Sequence, residues 1–192
     1  MSNSDTPITC ADIPVGKTVT VKVPASSANL GPGYDTLGVA LGFYDELRVE
    51  CISEGLEFEL SGEGSEAVPR DETHLVIQAM HAAFERGGLH EFPALRLTAH
   101  NRIPHSRGMG SSASAIVAGV AAASGLLPEH AQLSRDQILQ VASDLEGHPD
   151  NVAPSVYGSL SISWGELGDW RSLVVPVHSA VVPIVAVPDY EV

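Results

Sequence analysis

A glycine-rich turn that opens directly into a long apolar helix constrains this chain more than any other feature. Residues 104–115 read Pro-His-Ser-Arg-Gly-Met-Gly-Ser-Ser-Ala-Ser-Ala, and an alanine-rich apolar run continues to Leu127. Gly108 and Gly110 let the backbone approach a bulky group closely, and the first turn of the helix offers N–H groups without intrahelical partners. The segment therefore predicts an anion site built mostly from backbone, for which phosphate is the typical ligand.

The serines of this loop add side-chain chemistry. Ser111, Ser112 and Ser114 carry hydroxyls that can cap the helix, bind a phosphate oxygen or hold Mg²⁺, while Ala113 keeps the first turn thin. No Gly-Lys-Ser/Thr sequence follows, so this is not a Walker loop. The alternative interpretation is an ordinary turn with a serine N-cap before a buried helix.

A second segment joins a strand pattern to a polar turn. β-branched residues alternate over residues 19–24, and a Gly-Pro-Gly turn then separates Asn29 from Asp35. Such a turn folds the chain sharply and could direct both side chains into one pocket, where they would suit a small substrate with an ammonium or hydroxyl group. Alternatively, Asn29 and Asp35 hydrogen-bond nearby backbone, as these residue types often do in loops.

A third segment places several polar groups at a helix end. Apolar residues recur at helical spacing over 135–145, and Glu146, His148, Asp150 and Asn151 follow, interrupted by a glycine and a proline. Glu146 could hold a divalent cation, and the other three could orient a substrate or move a proton. The alternative is a solvated turn with a Gly-Pro stop.

Together, the three segments resemble the GHMP kinase superfamily, and most nearly the homoserine kinases within it. The similarity lies in residues 24–38, 104–115 and 146–151. The last stretch, Glu-Gly-His-Pro-Asp-Asn, distinguishes homoserine kinases from mevalonate and galactose kinases. The resemblance implies an α+β fold of the ribosomal protein S5 domain 2-like type, with a mixed sheet and helices on one face.

The resemblance also implies an activity. It is the transfer of the ATP γ-phosphate to the side-chain hydroxyl of L-homoserine, which gives O-phospho-L-homoserine in threonine biosynthesis. Two alternatives stay open: a GHMP kinase for another small alcohol, and a catalytically silent relative that binds a nucleotide or metabolite. A homodimer is compatible with the sequence.

Site residues follow from the same resemblance. The implied nucleotide contacts are His74, Pro104, Arg107, Gly108, Met109, Gly110, Ser111, Ser112, Ala113 and Ser114. Ser112 and Glu146 are the implied Mg²⁺ ligands. The implied substrate contacts are Asn29, Asp35, His148, Asp150 and Asn151, and the implied catalytic residues are Glu146, Asp150 and Asn151. Asp150 either takes the hydroxyl proton or binds the substrate ammonium while the proton leaves through the phosphate.

Three positions depart from the family pattern. Met109 replaces the usual leucine, a volume-conserving change, and Ser114 adds a hydroxyl where alanine is usual. His74 stands where the family often has an asparagine near the nucleotide. Its imidazole would contact adenine or ribose, or it is simply an exposed residue at a helix start.

Length and termini give further expectations. Homoserine kinases continue into a ferredoxin-like domain, so residues 1–170 are predicted to form the ATP-binding domain and residues 171–192 the beginning of a truncated second domain. Residues 180–188 are predicted to form the first strand of that second domain, and the chain is then an incomplete catalyst. Residues 1–16 are predicted to be a frayed tail.

Composition narrows the partners. The formal net charge of −14 over 192 residues repels nucleic acid and anionic membranes, so neither is expected to bind. Near the glycine-rich loop, Arg102, His105 and Arg107 offset this charge locally, with help from the helix terminus and Mg²⁺. Cys10 and Cys51 fall in no metal-ligand spacing, and no signal or membrane segment is visible. A cytoplasmic protein with reduced thiols is therefore expected.

The remaining pattern predicts a scaffold. Strands are expected over 46–52, 58–60 and 95–99, and a helix over 75–84 that ends at the glycine pair 87–88. This order of elements favours helices packed against one side of a mixed sheet.

Overall fold

The computed structural model describes residues 7–187, and within them one sheet of six strands is covered by four helices. The strands are β1 (Thr18–Leu30), β2 (Gly33–Cys51), β3 (Leu56–Gly62), β4 (Leu95–Asn101), β5 (Leu160–Glu166) and β6 (Asp169–Val175). The helices are α1 (Leu75–Arg86), α2 (Ser111–Leu126), α3 (Arg135–Glu146) and α4 (Val152–Tyr157). Short 3₁₀ turns lie at Cys10–Asp12 and Glu129–Ala131.

The long strand β2 is the centre of the sheet. Its C-terminal half pairs with β4 over residues 46–51, and its N-terminal half pairs with β5 over residues 37–39. The resulting order is β3-β4-β2-β5-β6, with β1 paired to β2 as a hairpin. Only the pairing of β3 with β4 is parallel among the ladders of the described residues, so the predicted mixed sheet is confirmed.

One face of the sheet is covered and the other is wet. Leu47 and Val49 of β2 and Leu95 and Leu97 of β4 are buried against the helices. The alternate positions carry charged side chains that pair across strands, such as Arg96 with a glutamate of β3. Because side chains alternate with a period of two, this pattern places all four helices on one face, as predicted.

Helix α2 fills the centre of the core. Small and apolar residues of the helix, including Ile116, Val120 and Ala123, lie on all its sides, and a helix that is apolar all round is typically buried. Its C-terminal end is held by Lys17, whose Nζ donates to the carbonyl oxygens of Leu126 at 2.6 Å and Leu127 at 3.2 Å. These carbonyls have no intrahelical partner, so the ammonium both satisfies them and complements the helix dipole.

Helix boundaries agree with the sequence predictions. Helix α1 ends before Gly87, α2 begins within the serine-rich loop, and α3 ends before Gly147, which adopts the left-handed conformation at φ +88°. The sequence analysis missed the first half of β2 and the hairpin of β5 and β6. These segments are rich in glycine, serine and charge, so they lack the alternation that marks a strand.

The tail prediction is wrong for the part that is described. Ile8 bridges to Leu89, a 3₁₀ turn follows at Cys10–Asp12, and the side chain of Ile13 is buried in the main core. An apolar side chain in a terminal segment is enough to fix that segment when the core has room for it. Residues 1–6 lie outside the described residues.

The strand predicted over residues 180–188 is not observed in the described residues, and its place in a second domain stays a prediction. Residues 181–187 pair with no strand of the described part of the chain, and Ile184 is 96% exposed. A β-branched run forms a strand only when a neighbouring strand accepts its hydrogen bonds, and β6 already ends at Val175. Residue 188 lies outside the described residues. Within residues 7–187, no helix is long and apolar enough to cross a membrane.

We expect Lys17→Met to lower the free energy of unfolding by about 1–2 kcal/mol, because two helix-end carbonyls lose a charged donor in a partly buried site. Urea denaturation monitored by circular dichroism measures the change. Lys22→Met is the matched control, since among the described residues Lys22 forms only an exposed ion pair with Glu46 at 3.0 Å. That substitution should change stability by less than about 0.5 kcal/mol, and equal losses in both variants would contradict the capping role.

Candidate functional site

The three polar segments identified in the sequence meet at the start of α2. Ser26, on β1, is fully buried and its backbone N–H donates to the carbonyl of Met109 at 3.1 Å. Its hydroxyl donates to the backbone oxygen of Asn151, and the Asn151 amide donates back to the hydroxyl, each at 3.1 Å. Ser155 of α4 adds a hydroxyl contact to the same group. One serine therefore joins the first, second and third segments, and the sequence analysis did not single it out.

Close backbone packing supports this junction at two glycines. A Cβ on Gly110 would overlap the Ser26 hydroxyl, and a Cβ on Gly38 would overlap the carbonyl oxygen of Asp150. Gly110 also has φ +68°, a left-handed conformation that glycine adopts without strain. Contact between the segments thus requires glycine at both positions, whether or not a ligand approaches the backbone there.

The N-terminus of α2 is open. Its N-cap is Gly110, and no side chain among residues 7–187 caps the helix, so the alternative of a serine N-cap is wrong. The first intrahelical acceptor is used by the N–H of Ser114, which bonds to Gly110 at 2.9 Å. The N–H groups of the preceding residues are therefore available to an anion, and the helix dipole places partial positive charge there.

Ser112 and Glu146 lie side by side although they are far apart in sequence. The Ser112 hydroxyl donates to Glu146 Oε2 at 2.8 Å and joins the first turn of α2 to the last residue of α3. Both groups are partly exposed or exposed, so they can reach a ligand in front of the helix. The predicted metal pair is therefore brought together.

The loop after α3 is not a solvated turn. Asp150 is 1% exposed, and its Oδ1 accepts from His148 Nδ1–H at 2.6 Å and from the backbone N–H of Asn151 at 2.9 Å. The His148 side chain is 44% exposed, so it presents its far edge to solvent while the buried carboxylate fixes its orientation. Three predicted substrate contacts are thus adjacent to one another.

A cavity of about 310 Å³ opens beside the loop, in the size range of small-ligand pockets. Its walls are mainly apolar side chains from the sheet, from α1 and from the loop before α1, including Leu60, Val68, Val76, Leu97 and Ala99. Polar groups enter from the loop and the start of α2, including His105, Ser111, Ser112 and Ser114. An apolar slot next to an anion site suits a ligand with a flat apolar part and a charged part.

His74 also lines this cavity. It is the N-cap of α1, its Nδ1 accepts from the N–H of Val76 at 3.2 Å, and its ring lies 5.4 Å from that of Phe58. The residue is 8% exposed, so the alternative of a surface histidine is wrong. Burial lowers the pKa of His74 below its usual value, although the nearby Asp71 carboxylate opposes the shift.

Ser114 carries an unusual hydroxyl. Its Oγ is fully buried, borders the cavity and, with Ser143 Oγ, is one of two buried side-chain polar atoms without a partner among the described residues. A buried hydroxyl normally has a hydrogen-bond partner, so a ligand group in the cavity is a natural one.

The other loop residues have different surroundings. The side chain of Met109 packs in a small cluster with Ala25, Leu41 and Ile103, and Ala113 lies in the main core. They can contribute only backbone to a ligand in front of the helix. Arg107 folds onto its own loop and donates to the carbonyls of residues 105 and 106 at 3.4 and 3.1 Å. Pro104 and Gly108 belong to the same loop, where Gly108 is exposed at φ +68°.

Asn29 and Asp35 meet across the hairpin turn. Asn29 Oδ1 accepts from the backbone N–H of Asp35 at 2.9 Å, and both residues have positive φ values, 57° and 52°. The backbone alternative is therefore observed for the Asn29 oxygen. Asp35 is exposed, and the joint role of both side chains in substrate binding stays a prediction.

The chain is similar to proteins of one family. Residues 74–159 match the GHMP kinases N terminal domain. The chain is 50% identical to a homoserine kinase of Corynebacterium aurimucosum, over 93% of this chain and 60% of the relative. It is 51% identical to a homoserine kinase of Leifsonia xyli, over 91% of this chain and 54% of the relative. The chain thus spans between half and two thirds of the length of these relatives.

Solved structures have the same fold. A homoserine kinase from Cytophaga hutchinsonii superposes with a TM-score of 0.70 at 26% identity, over 84% of this chain and 53% of that one. A mevalonate kinase from Methanococcus jannaschii superposes with a TM-score of 0.61 at 16% identity, over 82% of this chain and 56% of that one. The second likeness concerns the fold alone.

We expect Gly38→Ala to displace the loop that carries Asp150, because the new methyl group would overlap its carbonyl oxygen. The free energy of unfolding should fall by about 1–3 kcal/mol, and the backbone amide resonances of residues 148–151 should shift. Gly42→Ala is the matched control on the same strand, since a Cβ there meets nothing within 4 Å. Similar stability and spectra for the two variants would contradict the contact.

The pKa of His74 gives a pH dependence. Because burial lowers the folded-state pKa, the unfolded chain binds a proton at this imidazole at a pH where the folded chain does not. Stability should therefore be lost as pH falls below the usual histidine value of about 6.5.

The variant His74→Asn isolates this effect, since asparagine keeps an N-cap acceptor but does not titrate. Urea unfolding between about pH 7.5 and about pH 5.5 should give a shallower loss of stability in the variant than in the wild type. Parallel pH curves for the two proteins would show that His74 does not contribute.

Proposed function

We propose, from the GHMP kinase N-terminal domain that this chain carries, that it is the nucleotide-binding part of a homoserine kinase. Such an enzyme transfers the γ-phosphate of ATP to the side-chain hydroxyl of L-homoserine and gives O-phospho-L-homoserine, a step in threonine biosynthesis. The observation that carries the proposal is the junction of the three polar segments through Ser26, Gly110 and Asn151 at an open helix N-terminus.

The proposed nucleotide site has two parts. The triphosphate lies against the backbone N–H groups at the start of α2, where the helix dipole favours negative charge. The base and ribose enter the neighbouring cavity, where apolar walls receive the ring and His74 and Ser114 offer polar atoms. Because this site uses backbone dipoles, it needs few positive side chains despite the acidic composition.

Ser112 and Glu146 fit the requirements of Mg²⁺. The cation prefers oxygen ligands and is usually held by one or two carboxylates together with substrate phosphates. A hydroxyl and a carboxylate oxygen lie 2.8 Å apart in front of the anion site, so both could take part in one coordination shell. Bound there, Mg²⁺ would neutralise charge on the phosphates.

The proposed amino-acid site lies on the other side of the junction. His148, with Asp150 behind it, and Asn151 present polar groups close to the end of the phosphate loop. Asn29 and Asp35 would contribute from the hairpin turn. Phosphoryl transfer depends mainly on positioning and charge neutralisation, so a cluster of orienting groups meets the chief demand of the reaction.

The position of Asp150 bears on the route of the hydroxyl proton. Its carboxylate is buried and already accepts from His148 and from the backbone of Asn151. Direct transfer of the proton to Asp150 is therefore less favoured than a route through the phosphate oxygens or the exposed His148 ring. In either case Asp150 acts by fixing its neighbours.

The proposal extends to the domain and its location. The proposed division is an ATP-binding domain over residues 1–170 and the beginning of a second domain over residues 171–192. Because β6 pairs with β5 as far as Val175, we move the proposed boundary to follow that residue. We place the enzyme in the cytoplasm, where ATP and amino-acid intermediates are present.

A coupled ADP-release assay tests the substrate assignment. Mg-ATP is combined with L-homoserine, mevalonate, galactose or buffer, using both this chain and the whole protein that contains it. Turnover that depends on homoserine in the whole protein is expected. Turnover with another alcohol would replace the substrate, and nucleotide binding without any turnover would indicate a silent relative.

Glu146→Gln should lower kcat by about 100-fold or more, because a neutral amide is a poor Mg²⁺ ligand and leaves phosphate charge uncompensated. Initial rates over a range of Mg²⁺ concentrations should also show a higher Mg²⁺ requirement. Glu129→Gln is the control, since Glu129 lies in an exposed 3₁₀ turn away from this cluster. Equal kcat values for Glu146→Gln and the control would refute the metal assignment.

A further inference from the structure

A partly buried carboxylate lies at the point where β4 leaves the sheet. Asp45 is on β2, beside the last pair of the β2–β4 ladder, which joins Glu46 to His100. Beyond that pair the two strands separate, because the chain after β4 turns towards the glycine-rich loop. Without another acceptor, the backbone N–H groups of the residues that follow β4 would therefore have no hydrogen-bond partner.

The Asp45 carboxylate replaces the lost acceptors. Its Oδ1 accepts from the N–H of Arg102 at 2.6 Å and from the N–H of Ile103 at 2.9 Å. These are the first two residues after β4, and the next residue, Pro104, has no N–H to offer. The carboxylate therefore satisfies all the backbone donors in the first three residues of the loop.

Both ends of the loop are anchored by the same small apolar cluster. Ile103 is fully buried and packs in the small cluster that also contains Met109, near the other end of the loop. Met109 is tied to β1 through its carbonyl, which accepts from the Ser26 N–H. The segment between Ile103 and Met109 is thus fixed at its start by the bonds to Asp45 and at its end by the bond from Ser26.

We propose that Asp45 is a positioning residue of the anion-binding loop, which fixes the path of the chain into α2 so that its open N–H groups face the phosphates. The inference rests on the proposed nucleotide site. Asp45 borders the cavity beside that site but acts through the backbone of residues 102 and 103. It is not proposed to touch the transferred phosphate, which a carboxylate would repel.

The environment of Asp45 supports this role. Burial raises the pKa of its carboxyl, and the bonds from Arg102 and Ile103 and the nearby His105 and His100 only partly offset that effect. The carboxylate is therefore partly removed from water, and the two backbone donors and the histidines compensate for only part of that loss.

The direction in which Asp45→Ala changes the affinity for ATP separates a positioning role from a purely electrostatic one. Removing a negative charge close to an anion site should strengthen the binding of ATP if charge alone matters. Removing the anchor of the loop should weaken it. Asp45→Ala makes both changes at once, so the direction of its effect shows which one dominates.

The test measures the dissociation constant of a fluorescent ATP analogue with Mg²⁺ for the wild type and three variants of Asp45. Asp45→Ala should raise Kd by about tenfold or more, the loss expected when a charged acceptor of two backbone donors is removed. Asp45→Asn keeps an oxygen acceptor without the charge and should bind within about threefold of the wild type. Asp45→Glu keeps the charge but moves it by one methylene, so its Kd should also rise.

Glu59→Ala is the matched control, since Glu59 is a carboxylate on the exposed side of the same sheet that bonds only to Thr98 among the described residues. It should leave Kd unchanged. Urea unfolding confirms that each variant is folded in the binding assay, so that loss of affinity is not loss of structure. If Asp45→Ala does not fold, Asp45→Asn and Asp45→Glu decide the question by the same criteria.

The outcomes are distinct. A wild type that binds no ATP analogue overturns the proposed nucleotide site itself. A wild type that binds, together with folded Asp45→Ala and Asp45→Glu variants that bind as tightly or more tightly, overturns the positioning role alone. Weaker binding by Asp45→Ala or Asp45→Glu with near-normal binding by Asp45→Asn supports it.

Discussion

The buried hydroxyl of Ser26 is the contact on which the rest of the site depends. It joins the β1–β2 hairpin, the glycine-rich loop and the turn after α3, because its hydroxyl and backbone N–H together reach Asn151 and Met109. Gly110 and Gly38 lie against this junction with no room for a side chain. A fully buried hydroxyl with several partners fixes position more strictly than an apolar contact, since each lost bond would leave a polar group unsatisfied.

The two ends of α2 differ in whether a side chain satisfies their free backbone groups, and this difference suits anion binding in an acidic protein. At the C-terminal end of α2, Lys17 donates to the carbonyl oxygens, whereas at the N-terminal end no side chain of the described part of the chain bonds to the N–H groups. Partial negative charge is thereby compensated while partial positive charge stays available. Solvent and salt screen exposed charges, so short-range dipoles dominate at the loop despite the net charge of −14.

The meeting of Ser112 with Glu146 was expected only from the family resemblance. Sequence patterns predicted α1, α2, α3 and the mixed sheet but missed the short helix α4, because helical periodicity and glycine-rich turns are local signals. They did not predict the roles of Ser26 and Asp45, whose partners lie more than fifty residues away in the chain. The burial of His74 was also missed, since one polar residue at a helix start reveals nothing about the strand that packs over it. What could not be predicted is tertiary contact, which depends on which surfaces meet.

The bond between Ser26 and Asn151 spans 125 residues, and this separation has a consequence for synthesis. Contacts between distant residues form late, because a long loop must close before they contribute. On the ribosome, the glycine-rich loop emerges well before the turn at residue 151 that supports it. A nascent chain can thus form α1 and the first hairpin early, yet its glycine-rich loop is supported only when α4 has emerged and docked.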